Sequence, residues 1–566
     1  MTEVFDGVSV APERLLIAGY LDEQGSLTAV EKFAQRHVES VEPLQARFYR
    51  DLIPLSAPGP GQQYAFEVDL DRCSGCKACV TACHELNGLD EDETWRSVGL
   101  LQGGTSALPV LQHVTSACHH CLDPACLNGC PVNAYEKDPL TGIVKHLDDQ
   151  CIGCQYCIFM CPYDVPKYNA KKGIVRKCDM CSDRLGSGEA PACVQACPTT
   201  AIRIAVVDRR TVVEDCEANQ FLPGAPEPHT TLPTTVYRTS RALPRNLLPA
   251  DYYTVTPGHA HLALVWMLVL TQMSVGTFVV DLLLEAIGDG RLLVGLKSFR
   301  AIAGLLVGLV GLGAAVGHLG RPFYAFRAIL GLRRSWLSRE ILAFGVFAGF
   351  ATAYAAGVAL GTRGLVGTGF LKSLHQMAAA SGLIAVFCSV MIYVATGRPF
   401  WNLTTTSLKF FLTAAVLGLP TALLVPIVGA GVSDALLIPD IMARLGRPLL
   451  AALMVAATLK LLVETMVLNH LRDRQQTALK RTARLLTGEF ALLGLRRYFF
   501  GLFGGLVLPG LLLGERTISG PDGFRPVFVG VIVGLILVLM LLGELLERYV
   551  FFTASVAPKM PGAVTS

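Results

Sequence analysis

Two sets of residues in this 566-residue sequence have the types and spacings that do chemistry. The first set is cysteine. Of 18 cysteines, all but Cys216 and Cys388 fall into four groups. These are Cys73, Cys76, Cys79 and Cys83; Cys118, Cys121, Cys126 and Cys130; Cys151, Cys154, Cys157 and Cys161; and Cys178, Cys181, Cys193 and Cys197. Three closely spaced thiolates can hold three irons of one 4Fe–4S cube, while a fourth, set apart, turns to a neighbouring cluster. Pro131, Pro162 and Pro198 follow the last cysteine of groups two to four and end each loop, whereas His84 stands there in group one. The full set supplies ligands for four 4Fe–4S clusters. Disulfides would need an oxidising compartment and suit such tight triplets poorly. Zinc sites built from Cys-x2-Cys pairs would leave the third cysteine of each triplet unused. Cys216 and Cys388 read as small buried hydrophobes.

A cluster held by four thiolates is a net anion, so nearby cations offset the cost of keeping it in a low dielectric. Lys167, Lys171, Lys172, Arg176 and Lys177 lie between groups three and four and can serve this way or form a solvated basic loop. His119 and His120 follow Cys118. With four cysteines per cluster, they are expected beside the metal site or on the surface.

The second set lies at the ends of apolar stretches. His318-Leu-Gly320-Arg321-Pro322 closes one stretch, Ser338-Arg-Glu340 opens the next, and Glu544 and Glu547 fall near the end of the last. Oxidising a quinol releases two protons and two electrons. A histidine and a carboxylate at a membrane interface can take the protons if an electron acceptor lies close. Taken singly, interfacial His, Arg and Glu also reach out to headgroups. Lys460 and Glu464, four residues apart inside a stretch, read as a structural ion pair. His259, His261, His318 and His470 fall at one face and His375 at the other, which does not give the matched pairs that haem needs.

The elements that must position these residues follow from composition. The chain is 52% hydrophobic and 16% charged, against roughly 25% charged for soluble domains. It is too apolar to be soluble throughout or to be disordered. A net charge of +3 gives no reason to expect a nucleic-acid partner. Eight apolar stretches, centred near residues 272, 309, 349, 384, 417, 458, 505 and 537, are long enough to cross a bilayer. The connections on the side of the cysteine region, with Arg321, Arg327, Arg333, Arg334 and Arg339 among their cations, hold more Lys and Arg than those opposite. That bias places the cysteine region in the cytoplasm. The start, Met-Thr-Glu-Val-Phe-Asp, has no basic or apolar export signal, which points the same way.

The expected fold is an α+β bacterial-ferredoxin-like iron–sulfur domain followed by an all-α eight-helix transmembrane bundle. Residues 1–62 form an extension with an amphipathic helix near 27–38, and 63–215 the four-cluster domain. Residues 216–256, rich in proline, are expected to be an extended strap. Residues 257–556 form the membrane anchor and 557–566 a tail.

The order and spacing of the cysteine groups, notably Cys73-Ser-Gly-Cys-Lys-Ala-Cys79 and Cys118-His-His-Cys-Leu-Asp-Pro-Ala-Cys126, resemble the electron-transfer subunit of DMSO reductase family molybdoenzymes. The resemblance implies that groups one and four share two clusters, and groups two and three the other two. One cluster would take Cys73, Cys76, Cys79 and Cys197, and the next Cys178, Cys181, Cys193 and Cys83. A third would take Cys118, Cys121, Cys126 and Cys161, and the last Cys151, Cys154, Cys157 and Cys130. Some relatives carry tryptophan at one ligand position and hold a three-iron cluster; no such replacement occurs here.

His318-Leu-Gly-Arg-Pro-Phe-Tyr-Ala-Phe326, Leu337-Ser-Arg-Glu340 and Gly543-Glu-Leu-Leu-Glu547 resemble the membrane anchor of the same family. This implies a haem-free quinol site at His318, Gly320 and Glu340, with Arg321 beside it. The family often has arginine where Tyr324 stands. Two normally separate subunits are thus fused. The implied function is oxidation of menaquinol or ubiquinol from the quinone pool in the plasma (inner) membrane. Electrons would pass through four clusters to a separate molybdopterin-containing catalytic subunit, so the protein would not itself reduce the terminal substrate. The alternative is the reverse flow, from a dehydrogenase such as formate dehydrogenase to quinone. A redox-driven ion pump needs a chain of ionisable groups, for which Lys460, Glu464 and Asp281 look too sparse.

Overall fold

The computed structural model describes residues 12–26, 28–39, 45–287, 296–361, 367–433, 437–514 and 526–562. The cysteine region is a small α/β domain. Its first strand, β1 (Gln62–Asp69), pairs antiparallel with β8 (Ile202–Asp208), from Gln62 opposite Asp208 to Val68 opposite Ile202. Phe66, Val68, Ile202 and Ile204 are buried, so apolar burial fixes that register. This pairing zips the entering and leaving segments together and brings cysteine groups one and four side by side. Between them run three hairpins: β2 (Ser97–Gly104) with β3 (Pro109–Ser116), β4 (Tyr135–Lys137) with β5 (Val144–His146), and β6 (Lys167–Asn169) with β7 (Ile174–Arg176).

The proline-rich stretch is more than a strap. β9 (Val236–Arg238) adds parallel to β1, and β10 (Leu248–Pro249) adds to β2. Proline lacks the ladder donor, but at a sheet edge that donor would face outward, so edge strands tolerate it. The tail returns to the same place. Lys559 pairs with Asp251 at 2.6 Å, and Leu100 donates its N–H to the Gly562 carbonyl at 3.3 Å. A Cβ on Gly99 would sit 1.7 Å from the Pro561 carbonyl oxygen, so only glycine fits beneath the tail. In the extension, α1 (Pro12–Gly25) precedes α2 (Ala29–Glu39). α2 starts at a capping box in which the Thr28 N–H donates to Glu31 at 2.7 Å and the Glu31 N–H to the Thr28 hydroxyl at 3.2 Å.

Among the described residues, eight helices are long and apolar enough to cross a membrane. They run Leu262–Ala286, Lys297–Gly317, Trp336–Gly361, Thr368–Val394, Leu403–Gly431, Ile438–Arg472, Ala491–Leu513 and Val527–Thr553. Spans one to four pack around one another, as do spans five to eight. The two halves meet chiefly where span one lies against span five. Gly276 and Gly418 make that seam close: a Cβ on Gly276 would meet the Ala414 carbonyl oxygen at 1.9 Å. Small residues allow such backbone approach in lipid.

Candidate functional site

The ligand loops are shaped by left-handed backbone. Gly75 and Lys77 in group one have φ of 75° and 62°, and Gly153 and Gln155 in group three have 69° and 61°. The repeated pair of turns directs several thiols inward from a few residues. Backbone donors then face sulfur: the Ala134 N–H lies 3.2 Å from Cys130 Sγ, and the Ala201 N–H 3.2 Å from Cys197 Sγ.

Cys73, Cys76, Cys79 and Cys197 line one void, and Cys118, Cys121, Cys126 and Cys161 another. Burial pushes the Cys83 thiol up to about 12; nearby Cys193 and Cys181 add to this, while Arg96 opposes it. Burial also raises Cys157, beside Cys154, Cys130 and Cys151. The grouping is therefore the crossed one, with each fourth cysteine among the first three of another loop. The quartets form a row. Cys151, Cys154, Cys157 and Cys130 stand nearest the membrane, followed by the Cys118 quartet, which exchanges its fourth cysteine with them. Cys178 adjoins Cys118, and Cys193 adjoins Cys79. At the far end Cys76 is exposed.

Do these residues fit iron–sulfur clusters? Buried thiols with raised pKa do not ionise unaided; metal must supply the charge. Among the described residues no three His, Cys, Asp or Glu converge on a single-ion site, and two of the quartets enclose voids instead. The strongest sign is an orphaned cation. Arg96 is 2% exposed, its Nη1 donates to Thr115 Oγ1 at 3.1 Å, and its Nη2 has no hydrogen-bond partner among the described residues. It stands among Cys193, Cys79, Cys178 and Cys83. A buried cation without an anion costs several kcal/mol, so anionic thiolate clusters on either side suit it. Lys177, 3% exposed, lies between Cys118 and Cys178 in the same manner.

Sequence reasoning missed Arg96. It follows the acidic run Asp90–Glu93, which invites a surface ion pair, but Arg176 takes Glu93 at 2.9 Å. Lys167 and Lys171 pair with Asp164 and Asp90, so of that basic segment Lys177 is the residue beside the cysteines. His119 and His120 are buried at the Cys118 void. His119 Nδ1 shares a hydrogen bond with the Thr235 hydroxyl at 2.8 Å, and His120 Nδ1 accepts from the Val144 N–H at 3.0 Å.

Under Cys154 opens a cavity of about 280 Å³ into the bundle. His318, Glu340, Tyr156, Phe159 and Tyr393 are in its wall. Span two ends at Gly317, just before His318, and span three begins at Trp336, so the connection between them returns Glu340, near the start of span three, to the same cysteine-facing end as His318. Glu340 is 3% exposed and accepts a short hydrogen bond from the Ser389 hydroxyl. His318 Nε2 is buried without a hydrogen-bond partner among the described residues. Burial pushes the His318 imidazole below its usual range, and His259 pushes the same way. The rest of the wall is mainly apolar, as suits a lipid-soluble ligand.

Gly320 and Arg321 do not line this cavity. A Cβ on Gly320 would lie 2.2 Å from the Gly173 carbonyl oxygen, so Gly320 is one of the points where bundle and cysteine domain touch. Arg321 donates through Nη1 to the Asp148 carbonyl at 2.7 Å and through its N–H to the Ile152 carbonyl at 3.1 Å. Arg327 binds the Asp149 carbonyl at 3.0 Å and lies over the Tyr324 ring.

Residues 255–553 match the family described as DMSO reductase anchor subunit (DmsC). The protein belongs to this DMSO reductase anchor family. Residues 110–207 match the 4Fe-4S dicluster domain. The sequence is also similar to the B subunit of the anaerobic dimethyl sulfoxide reductase of Escherichia coli (strain K12), at 37% identity over 31% of this chain and 88% of the relative. The corresponding Haemophilus influenzae subunit is 38% identical over 26% of this chain and 76% of the relative. A hydrogenase-2 operon protein, HybA of Escherichia coli O157:H7, is 38% identical over 24% of this chain and 49% of its own length. The protein therefore joins an iron–sulfur electron-transfer subunit and a DmsC-type anchor in one integral membrane polypeptide.

The DmsC-type half holds more buried charge than its sequence suggests. Glu544 and Glu547 are in the second four-helix half, away from His318. Lys460 is 3.9 Å from Glu464 but 2.8 Å from Glu544, and Arg497 joins Glu464 and Glu544 at 2.8 and 2.9 Å. Near the other end of the bundle, Arg300 pairs with Asp281 at 2.7 Å, and Glu285 binds Lys297 and His375 at 2.9 and 3.2 Å. The ionisable groups are clustered, not sparse.

Proposed function

We propose that this protein oxidises a quinol, menaquinol or ubiquinol, in the cavity beneath Cys154. Electrons then leave through four 4Fe–4S clusters toward a separate molybdopterin-containing catalytic subunit. The observation that carries the reading is one cavity walled by Cys154, His318 and Glu340 together. His318, buried and kept neutral, takes one hydroxyl proton at its free ring nitrogen. Glu340 takes the other, held in place by Ser389. Apolar walls exclude water, so the protons leave by these groups alone. Clusters bound by the four quartets would supply one-electron acceptors in a row, and Cys76 at the exposed end is the exit.

The basic bias of the connections on the iron–sulfur side supports a cytoplasmic domain. Protons released at that face would then build no potential. The likeness to the B subunit of dimethyl sulfoxide reductase supports a reductase partner. The likeness to a hydrogenase operon protein favours a second reading, in which electrons enter at Cys76 and reduce quinone.

The test is electron paramagnetic resonance of membranes holding the full-length protein. Quinol and dithionite should both reduce the wild-type clusters, with four 4Fe–4S signals. His318→Ala should lose reduction by quinol and keep reduction by dithionite. Equal loss with both reductants would make His318 structural and defeat the proposal. Cluster potentials below that of the quinone couple would favour the reverse flow.

A further inference from the structure

The second half of the bundle holds a cavity that quinol oxidation does not use. The quinol cavity is walled by the start of span one, the end of span two, the start of span three and the end of span four. The second cavity, about 400 Å³, is walled by the start of span five, the end of span six, the start of span seven and the end of span eight. One plan is thus repeated, but with different chemistry. No cysteine is in this wall, so it offers no thiolate ligand for a cluster. Its charged groups are Lys409, Glu464, Arg497 and Glu547, against apolar groups such as Phe400 and Leu495.

Those charged groups belong to a network that is unbalanced. Lys409 meets Glu547 at 3.5 Å, Arg548 meets Glu547 at 2.7 Å, Lys460 meets Glu544 at 2.8 Å, and Arg497 meets Glu464 at 2.8 Å. Among the described residues, Lys409, Lys460, Arg497 and Arg548 therefore face only Glu464, Glu544 and Glu547, leaving one positive charge over. All seven are at least nine-tenths buried by side chain. Arg497 Nη1 has no hydrogen-bond partner among the described residues. A short helix, α3 (Ala478–Thr487), supplies Leu486 and Thr487 to the wall; it carries Lys480, Arg481 and Arg484 and no acidic residue. A buried excess cation calls for an anion, and apolar walls call for a hydrocarbon tail.

We propose that this cavity holds an acidic phospholipid, with its phosphate drawn to Lys409 and Arg497 and an acyl tail along Phe400 and Leu495. A neutral quinone would leave the excess charge uncompensated. A zwitterionic lipid brings its own cation, and free phosphate leaves the apolar wall unfilled. The assignment does not depend on the quinol reading, because the two cavities share no residue.

The test uses the full-length protein in detergent, with native mass spectrometry and thermal unfolding in the presence of phosphatidylglycerol, phosphatidylcholine or inorganic phosphate. Phosphatidylglycerol should raise the unfolding temperature and stay bound, whereas the other two should do neither. Gly494→Trp is the blocking variant, since a Cβ there meets only the Leu486 carbonyl oxygen, at 4.0 Å, and the ring enters the cavity. It should weaken phosphatidylglycerol binding at least tenfold while leaving reduction of the clusters by quinol intact. Lys409→Met, which removes the cation and keeps the cavity, should also weaken binding and so covers a failure of the first variant to fold. Equal stabilisation by phosphatidylcholine, a response to phosphate alone, a bound quinone displaced by Gly494→Trp, or undiminished binding in both variants would each overturn the proposal.

Discussion

The Lys177 ammonium lies 3.6 Å from the Cys118 sulfur and also donates to the Cys178 carbonyl at 2.8 Å. One buried cation thus touches two adjacent cysteine quartets. Arg96 does the same between the next two. The row of quartets is therefore interleaved with positive charge, which offsets the mutual repulsion of anionic centres held close together.

Removing either cation is expected to make the flanking clusters harder to reduce. At an effective dielectric near 20, losing a unit charge about 8 Å from a cluster's centre is worth roughly 2 kcal/mol, or on the order of 50–100 mV for a one-electron couple. Redox titration of Arg96→Met should lower the potentials at the exposed end of the row, and Lys177→Met those in its middle. Unchanged midpoints in folded variants would contradict this.

Glu340→Gln keeps the Ser389 hydrogen bond possible but removes the proton acceptor. Reduction of the clusters by quinol is expected to fall about a hundredfold, within the usual range for losing a general base, with reduction by dithionite unchanged. Ser389→Ala should have a smaller effect, through Glu340 positioning. Stopped-flow bleaching of the cluster absorbance measures both.

Gly320→Val tests the junction of the two domains. Its side chain must displace the Gly173 backbone, which lies 2.2 Å from the Cβ position. A cost of about 1–3 kcal/mol is expected from overpacking. The seam should open, with slower transfer from cavity to cluster and normal spectra in dithionite. A transfer rate equal to wild type would show that the seam tolerates the group.

Chelation or oxidative loss of iron should unfold the cysteine domain while the bundle stays helical, because Arg96 and Lys177 would then be buried without anions. Circular dichroism against iron content would show it. Cys216→Ser, at a buried cysteine outside the quartets, should leave the cluster count unchanged, whereas Cys154→Ser should remove the signal nearest the membrane.

Lys460→Met leaves Glu544 buried without its nearest cation. Arg497 still holds Glu544 at 2.9 Å and the remaining cations and carboxylates are equal in number, so the loss is expected to be smaller than the roughly 3–5 kcal/mol of leaving a buried charge unpaired, read as a lower unfolding temperature. Adding Glu544→Gln restores the excess of positive charge and should recover none of it.

What was legible in sequence was local. The cysteine spacing is set within loops of a few residues, and each span shows itself in its own apolar window. His318 and Glu340 could be named because a single connection separates them. The ion network could not, because Lys409, Lys460, Arg497 and Glu544 each interrupt a different span and meet only in three dimensions. Arg96 was hidden for a related reason: its acidic neighbours in sequence are not its neighbours in space. The proline stretch misled in the other direction, since strands of two or three residues leave no periodic pattern to read.

The segment Lys559–Gly562, synthesised after the eighth span, closes over Gly99 and pairs with Asp251. The cysteine domain, made first on the ribosome, is thus completed last. Its sheet can receive this covering only once the whole helical bundle has been synthesised, and a polypeptide cut short before the tail leaves its β2 strand uncovered.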